Sequence, residues 1–203
     1  MVTWVTNVDL AASGNGARAR LLTVAERLFS ERGYTAVTLR DIANDVGIRQ
    51  ASLYYYFPDG KEQLFVAVTE QGLIRVTTEL AQVATETSHR NLREQLNCIA
   101  NVLLDQPPID LARMIRSDMP AISREHAERL TRKAFEALIE PLARVFRAAR
   151  ERGEQRIEDD LLLAGWFLAM IETAQIAERF SPRSSAQMAS EMIAVLIDGV
   201  QPR

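Results

Sequence analysis

Apolar residues recur with a helical period through most of the chain. The first regular set falls at intervals of three and four residues: Leu21, Leu22, Ala25, Leu28 and Phe29. This spacing predicts a helix over about residues 17–32, and Gly33 supplies a C-terminal stop. No segment alternates apolar and polar residues with an enrichment in β-branched side chains, as half-buried strands do. The pattern therefore predicts an all-α protein.

Eight further helices are expected from the same periodicity. They are a short helix between Thr38 and Gly47, and helices at about residues 50–56, 61–86, 91–104, 109–116, 122–152, 159–180 and 184–199. Pro141 should kink the helix that contains it, because proline removes a backbone donor and clashes with the preceding turn. The prediction is about nine helices, with an N-terminal three-helix domain joined by a long helix to a larger C-terminal bundle.

The first sixteen residues end in Ser-Gly-Asn-Gly and show no period, which predicts a flexible arm over residues 1–16. The start of the chain lacks the basic residues and apolar run of a secretory signal. The longest apolar run, Leu161–Ile171, is shorter than the ~18 residues that span a bilayer. We therefore expect a soluble, cytoplasmic protein without a membrane partner.

Charge restricts how this chain could bind nucleic acid. The formal net charge is −3, so the chain does not resemble proteins that coat nucleic acid through bulk positive charge. Residues 18–57 nevertheless contain six arginines against four acidic residues. This local excess is compatible with a DNA-binding surface without demonstrating one. The single cysteine, Cys98, excludes an intramolecular disulfide and suits a reducing compartment.

The stretch from Thr38 to Leu64 contains the parts of a helix-turn-helix. Thr38, with Asp41 three residues later, resembles a capping box that begins a helix. Ala43 is small enough for a close helix crossing, and Gly47 tolerates the positive φ that the turn needs. The second motif helix should then expose hydrogen-bonding side chains suited to base edges and phosphates. These are Arg49, Gln50, Ser52, Tyr54 and Tyr55.

This stretch resembles the DNA-binding domain of the TetR family of bacterial regulators. The shared pattern is a threonine-capped helix with an Ile-Ala pair, a glycine turn, a short helix carrying Ser, Tyr and Phe, and then Pro and Lys-Glu. In this chain it is formed by Thr38, Ile42-Ala43, Gly47, the run from Ser52 to Phe57, Pro58 and Lys61-Glu62. The resemblance extends over about 45 residues. The family commonly has histidine at the position of Tyr56, and Gly60 makes the last turn one residue longer than its commonest form.

The resemblance implies roles for nine side chains on DNA. Positions that contact bases, or lie beside such contacts, are matched by Arg40, Gln50 and Tyr54. Positions that hold phosphates are matched by Thr38, Ser52, Tyr55 and Lys61. Two interpretations stay open for Arg49, a groove contact or a solvated helix end. Two also stay open for Tyr56, a phosphate contact or packing.

The resemblance also implies three parts: the arm, a DNA-binding domain at 17–62, and an effector-binding and dimerisation domain at 63–203. A homodimer formed through the last two helices would present two reading helices to a palindromic operator. Repression that is relieved by a small molecule is the usual mode of the family. Candidate ligand-binding residues are Met114, Phe135, Trp166, Met170 and Glu172, although apolar residues at helical spacing more often belong to simple core.

No constellation in the chain indicates catalysis. Gly14-Asn15-Gly16 follows no strand and is therefore no dinucleotide fingerprint, and the chain has no Walker loop, no HExxH motif and no second cysteine for a metal site. We expect a protein that is not an enzyme and that holds no cofactor or metal. The remaining alternative is a helical ligand-binding or interaction protein that does not use the motif on DNA.

Overall fold

The computed structural model describes residues 7–107 and 110–200, which hold ten α-helical segments and no strand. The predicted all-α class is therefore confirmed. The N-terminal helices are α1 (Asn7–Ala36), α2 (Leu39–Val46), α3 (Gln50–Tyr56) and α4 (Gly60–Glu86). The remainder are α5 (Leu92–Leu104), α6 (Leu111–Arg113), α7 (Arg124–Ala134), α8 (Glu140–Glu151), α9 (Asp160–Ala177) and α10 (Ser185–Val200).

Helix α1 begins earlier than the periodicity indicated. It starts at Asn7, so the irregular arm predicted over residues 1–16 is wrong for residues 7–16, and residues 1–6 lie outside the described part. Glycine in a helix interior costs only about 1 kcal/mol relative to alanine, so the Ser-Gly-Asn-Gly run lowers helix propensity without ending the helix. The predicted stop at Gly33 is confirmed, since its φ of 79° and ψ of 168° interrupt the helical backbone.

The chain divides into two compact units. One consists of the residues up to Gln71 together with Ala112–Ala127, and the other of Gly72–Leu111 together with the residues from Glu128 onward. The first unit thus adds a segment from the C-terminal half to the N-terminal helices, which the predicted three-part division did not anticipate. The largest fully buried side chains of its core include Leu21, Leu28, Ile42, Leu53 and Leu64.

The second unit is a bundle in which α10 packs on α5 and α9, and α8 packs on α9. Phe146 of α8 and Phe167 of α9 are both fully buried, with ring centroids 6.3 Å apart in an edge-to-face arrangement. Asp160, at the start of α9, accepts hydrogen bonds from Arg147 and Arg150 at 3.2 and 3.0 Å. This buried carboxylate fixes the first turn of α9 against α8.

Two π-helical turns interrupt the helices that were predicted over 109–116 and 122–152. The first, Met114–Asp118, follows α6 and leads into a 3₁₀ turn at Met119–Ala121. The second, Phe135–Ile139, joins α7 to α8. Pro141 follows the second turn, where Glu140 N–H already bonds to the Phe135 carbonyl five residues back. The irregularity expected at the proline therefore takes the form of a π-helical turn before it.

Among the described helices, α9 alone is long and apolar enough to cross a membrane by length and composition. A core helix passes the same test, and the buried residues of α9 belong to the bundle core, among them Leu163, Phe167 and Ile171.

Candidate nucleic-acid interface

The first motif helix, α2, begins with the predicted capping box. Thr38 Oγ1 accepts the Asp41 N–H at 3.1 Å, and Asp41 Oδ2 accepts the Thr38 N–H at 2.9 Å. The Thr38 hydroxyl also donates to Asp41 Oδ2, and these hydrogen bonds lower the pKa of the Asp41 carboxyl. The start of α2 is therefore determined by two residues of the motif itself.

The turn between the motif helices is made by Gly47, whose φ of 77° and ψ of 32° lie in the left-handed region. Its N–H and that of Ile48 bond to carbonyls at the end of α2, including that of Ala43 at 3.0 Å from Ile48 N. Ile42 and Ala43 are buried where α2 packs on α1. The glycine turn and the small residue at the crossing thus have the positions that the sequence predicted.

The second motif helix, α3, buries one residue and exposes a polar face. Leu53 is fully buried, and Phe57 at the end of the helix is buried as well. The predicted DNA-contacting residues on this helix that are exposed are Gln50, Ser52, Tyr54 and Tyr55. Tyr55 is 84% exposed, which is a high value for an aromatic ring of a folded chain. Helix α3 therefore presents donors, acceptors and aromatic rings outward from a rigid core.

Tyr56 differs from its neighbours because it is half-buried and packs edge to face on Tyr55, with ring centroids 5.1 Å apart. This packing supports one of the two readings left open for Tyr56. Arg40 and Arg49 are both exposed, Arg40 in the first turn of α2 and Arg49 immediately before α3. The sequence did not single out Arg18, whose exposed guanidinium lies 5.4 Å from the centroid of the Phe57 ring.

Lys61 is not directed outward. Its Nζ donates to the Val37 carbonyl at 2.7 Å and lies 4.1 Å from the centroid of the Tyr34 ring. Partial burial lowers the pKa of Lys61. This amine is thus engaged within the fold, and the phosphate contact that the resemblance implied stays a prediction. The signal that could have indicated this is Tyr34, an aromatic partner for an amine, but its proximity depends on the tertiary fold.

Glu62, next to Lys61, binds the beginning of α7. Its Oε1 accepts the Ser123 N–H at 2.9 Å and lies 2.6 Å from His126 Nδ1. The hydrogen bonds from Ser123 are the largest cause that lowers the pKa of Glu62, followed by the one to His126. Glu62 therefore attaches residues 123–126 to the N-terminal end of α4 within the same compact unit.

The lowered pKa of Glu62 predicts a dependence of stability on pH. A carboxylate with a depressed pKa stabilises the fold above its unfolded pKa, and that contribution is lost as the pH falls through the folded value. The free energy of unfolding should therefore fall below pH ~4.5, and Glu62→Gln should flatten this dependence. Urea titrations at pH 7, 5 and 4 would measure it. Glu140→Gln is the control, since Glu140 pairs with Arg144 on the surface; equal pH profiles in wild type and Glu62→Gln would contradict the assignment.

The five residues predicted to bind a ligand are divided between the two units, with Met114 in the first and the other four in the second. Met114 is buried in the first unit, whereas Phe135 is 44% exposed on the second. Trp166 and Met170 lie along an open apolar groove of about 910 Å³ between α9 and α10. The ligand-binding role of these side chains therefore stays a prediction: helical spacing identified apolar faces but did not say what covers them.

Glu172 has a separate environment within α9. Its Oε1 accepts the Leu111 N–H at 3.0 Å, and burial raises the pKa of its carboxyl. Gln175, one turn further on, donates to the Leu103 carbonyl at a long 3.5 Å. Among the residues that the structure describes, no group of three or more His, Cys, Asp or Glu side chains is arranged to hold a metal ion.

Comparison with known proteins places the motif in one family. Residues 21–68 match the family described as bacterial regulatory proteins, tetR family. The chain is 43% identical over 63 residues to the uncharacterized HTH-type transcriptional regulator YxaF of Bacillus subtilis, which is 30% of this chain and 33% of that protein. The chain thus matches about a third of the length of this curated relative.

Two longer matches extend beyond the motif. The chain is 28% identical over 152 residues to the HTH-type transcriptional repressor Rv1474c of Mycobacterium tuberculosis, covering 71% of each chain. It superposes on a TetR transcriptional regulator from Legionella pneumophila with a TM-score of 0.69 and 26% identity, covering 90% of this chain and 95% of the other. The N-terminal similarity is therefore accompanied by a common fold over most of the chain.

Proposed function

We propose that this chain is a TetR-family regulator, and that it is a cytoplasmic homodimeric repressor that binds a palindromic operator and leaves it when a small molecule binds. The alternative of an interaction protein that does not use the motif on DNA is less well supported, because α3 exposes four hydrogen-bonding side chains over a buried anchor. This polar face of α3 is the single observation that carries the proposal.

Base reading is assigned to Arg40, Gln50 and Tyr54. A recognition helix reads sequence through side chains that reach base edges in the major groove, while phosphate contacts fix its register. Helix α3 is seven residues long, which suits the insertion of a single exposed face. Phosphate contacts are assigned to the exposed hydroxyl of Ser52, and to others on the same surface: Tyr55, Arg49 and Arg18. The Thr38 hydroxyl donates to Asp41 within the cap.

Dimerisation is assigned to the groove between α9 and α10. Trp166 is 52% exposed and Val195 75% exposed, and both line the groove together with Met170 and Met192. Large contiguous apolar patches on a soluble protein mark interaction sites. The last two helices of each subunit would form a four-helix interface about a two-fold axis, as isologous dimers of helical proteins do.

The binding site for the small-molecule effector is assigned to the second unit, where Glu172 would be its polar contact. A half-buried carboxyl in an otherwise apolar helix is one of the few polar groups able to orient a ligand there. The raised pKa of Glu172 comes mainly from burial, which is the electrostatic setting expected where water is partly excluded. Release from the operator by such a ligand follows the usual mode of the family.

Replacing the reading residues tests the proposal directly. Arg40→Ala combined with Tyr54→Ala should weaken operator binding by about 100-fold or more, because each base contact is worth ~1–3 kcal/mol. The melting temperature should remain within about 2 °C of wild type, since both side chains are exposed. Affinity is measured by fluorescence anisotropy on fragments selected from the source genome with the wild-type protein.

The matched control is Arg132→Ala combined with Phe180→Ala, which removes one exposed arginine and one exposed aromatic residue from the second unit. The control should leave operator affinity unchanged. Affinity of the wild type should also fall steeply with added salt, because phosphate contacts release counterions. Selection that returns no preferred fragment, or an Arg40→Ala/Tyr54→Ala chain that binds as wild type, would favour the interaction-protein alternative.

A further inference from the structure

The carboxylate of Asp118 is buried at the connection between α1 and α2. The side chain belongs to the π-helical turn Met114–Asp118, and the residue is 3% exposed. Its Oδ1 accepts the Tyr34 N–H at 2.8 Å, across 84 residues of sequence. Burying a carboxylate costs free energy unless hydrogen bonds offset the loss of water. A hydrogen bond from a backbone N–H to a carboxylate is among the stronger ones. Asp118 thus fixes the backbone just before the first motif helix.

Arg113 completes the attachment from the same segment. One terminal nitrogen of its guanidinium donates to the Phe29 carbonyl at 3.1 Å, and its Nε lies 3.5 Å from Asp118 Oδ2. The Phe29 carbonyl is among the last of α1 before the interruption at Gly33, where a cation also complements the helix dipole. The Arg113–Asp118 pair therefore holds both the end of α1 and the residue after Gly33.

The contacts continue from Tyr34 to the cap of α2. The Tyr34 ring packs on Phe65 with centroids 4.9 Å apart, and it lies beneath the Lys61 amine. Lys61 in turn donates to the carbonyl of Val37, the residue that precedes the Thr38 cap. A continuous path of contacts thus runs from Asp118 through Tyr34 and Lys61 to the start of α2, the helix that carries Arg40.

We propose that Asp118 is a positioning residue for operator binding, which sets the placement of α2 on α1 without touching DNA. The inference rests on the proposed DNA-binding function and adds to it a residue from the C-terminal half of the chain. The DNA-reading unit is accordingly discontinuous: the N-terminal helices act together with Ala112–Ala127, which pack with them. A residue that only stabilised the fold would affect unfolding and leave the affinity of the folded protein unchanged.

The test compares Asp118→Ala and Asp118→Asn with wild type in the full-length chain, well below the melting temperature. Asp118→Ala removes a charge-assisted hydrogen bond and should weaken binding to the selected operator about tenfold or more. Asp118→Asn keeps an oxygen that can accept the Tyr34 N–H, so its loss should be smaller, about threefold. Binding to a random duplex of equal length should change by less than about twofold in both, because exposed phosphate contacts are retained.

The matched control is Glu140→Ala, since Glu140 pairs with Arg144 on the surface of the second unit; it should bind as wild type. Hydrogen exchange at the Tyr34 amide, followed by NMR, should accelerate in Asp118→Ala and much less in Asp118→Asn. Operator affinity within twofold of wild type in both Asp118 variants overturns the inference, and so does an equal loss on operator and random DNA. Should Asp118→Ala not fold, the Asp118→Asn comparison decides. A wild-type chain with no preference for any DNA sequence overturns the proposed function and the inference with it.

Discussion

A Gly33→Ala chain is expected to unfold well below the wild type and to lose operator affinity. Gly33 has φ 79° and ψ 168°, a region of backbone space that is essentially restricted to glycine. A Cβ at this position would lie 3.1 Å from Asp118 Oδ1 and 3.3 Å from Arg113 Cδ. Backbone strain and displacement of the ion pair should together cost about 2–3 kcal/mol. For a chain of this length that lowers the melting temperature by roughly 4–10 °C, which differential scanning calorimetry would measure.

Gly153→Ala separates strain from crowding. Gly153 has a similar φ of 76°, but no atom lies within 4 Å of a Cβ built there. Its replacement should therefore cost only the left-handed backbone term of ~1–2 kcal/mol and leave operator affinity intact. Equal losses of stability in the two alanine variants, with wild-type operator binding in both, would show that the contact of Asp118 and Arg113 with Gly33 has no role.

The helix-turn-helix was largely predictable because its determinants are local. The Thr38–Asp41 capping box lies within four residues, and Gly47 makes its turn with the carbonyls of the preceding helix. Helix α3 spans the residues that the periodicity gave, Gln50–Tyr56. Cap, turn and apolar spacing act over a few residues, so each leaves a signal that can be read without the tertiary structure.

Contacts between residues that are far apart in the sequence could not be predicted in this way. Asp118 and Tyr34 are 84 residues apart, and no periodicity relates them. Lys61 illustrates the consequence, because a lysine at the start of a helix is typical of a phosphate contact, whereas this amine is held by Val37 and Tyr34. Contacts of this kind depend on the tertiary fold, which packs Ala112–Ala127 with the N-terminal helices.

The same limit applies to the ligand-binding residues predicted from apolar spacing. Periodicity identifies an apolar face on a helix, but an apolar face can meet the core of its own chain or an open groove. Trp166 and Met170 line the groove between α9 and α10. Phe135 begins a π-helical turn. Backbone hydrogen bonds there join residues five apart instead of four, so the following side chains are rotated about the helix axis. Sequence spacing based on a regular α-helix then assigns the wrong direction.

Val195→Glu is expected to convert the proposed dimer to monomer and to remove most operator affinity. Val195 is 75% exposed in the groove between α9 and α10, and a two-fold axis would bring two introduced carboxylates into one apolar interface. Burying such charges without partners is prohibitive. Loss of the second half-site contact should weaken operator binding by about 10²–10⁴-fold, because the paired reading heads act at high effective concentration.

Ile74→Glu is the matched control, since Ile74 is 65% exposed on α4 and lies outside the groove. Sedimentation velocity at micromolar concentration should give a dimer for wild type and Ile74→Glu, and a monomer for Val195→Glu. A folded Val195→Glu monomer should still bind a half-site with the weak affinity of a single reading head, which separates loss of avidity from damage to the DNA-binding unit. A Val195→Glu chain that sediments as the wild-type dimer would rule out this groove as the interface, because no symmetric contact through it could accommodate both charges.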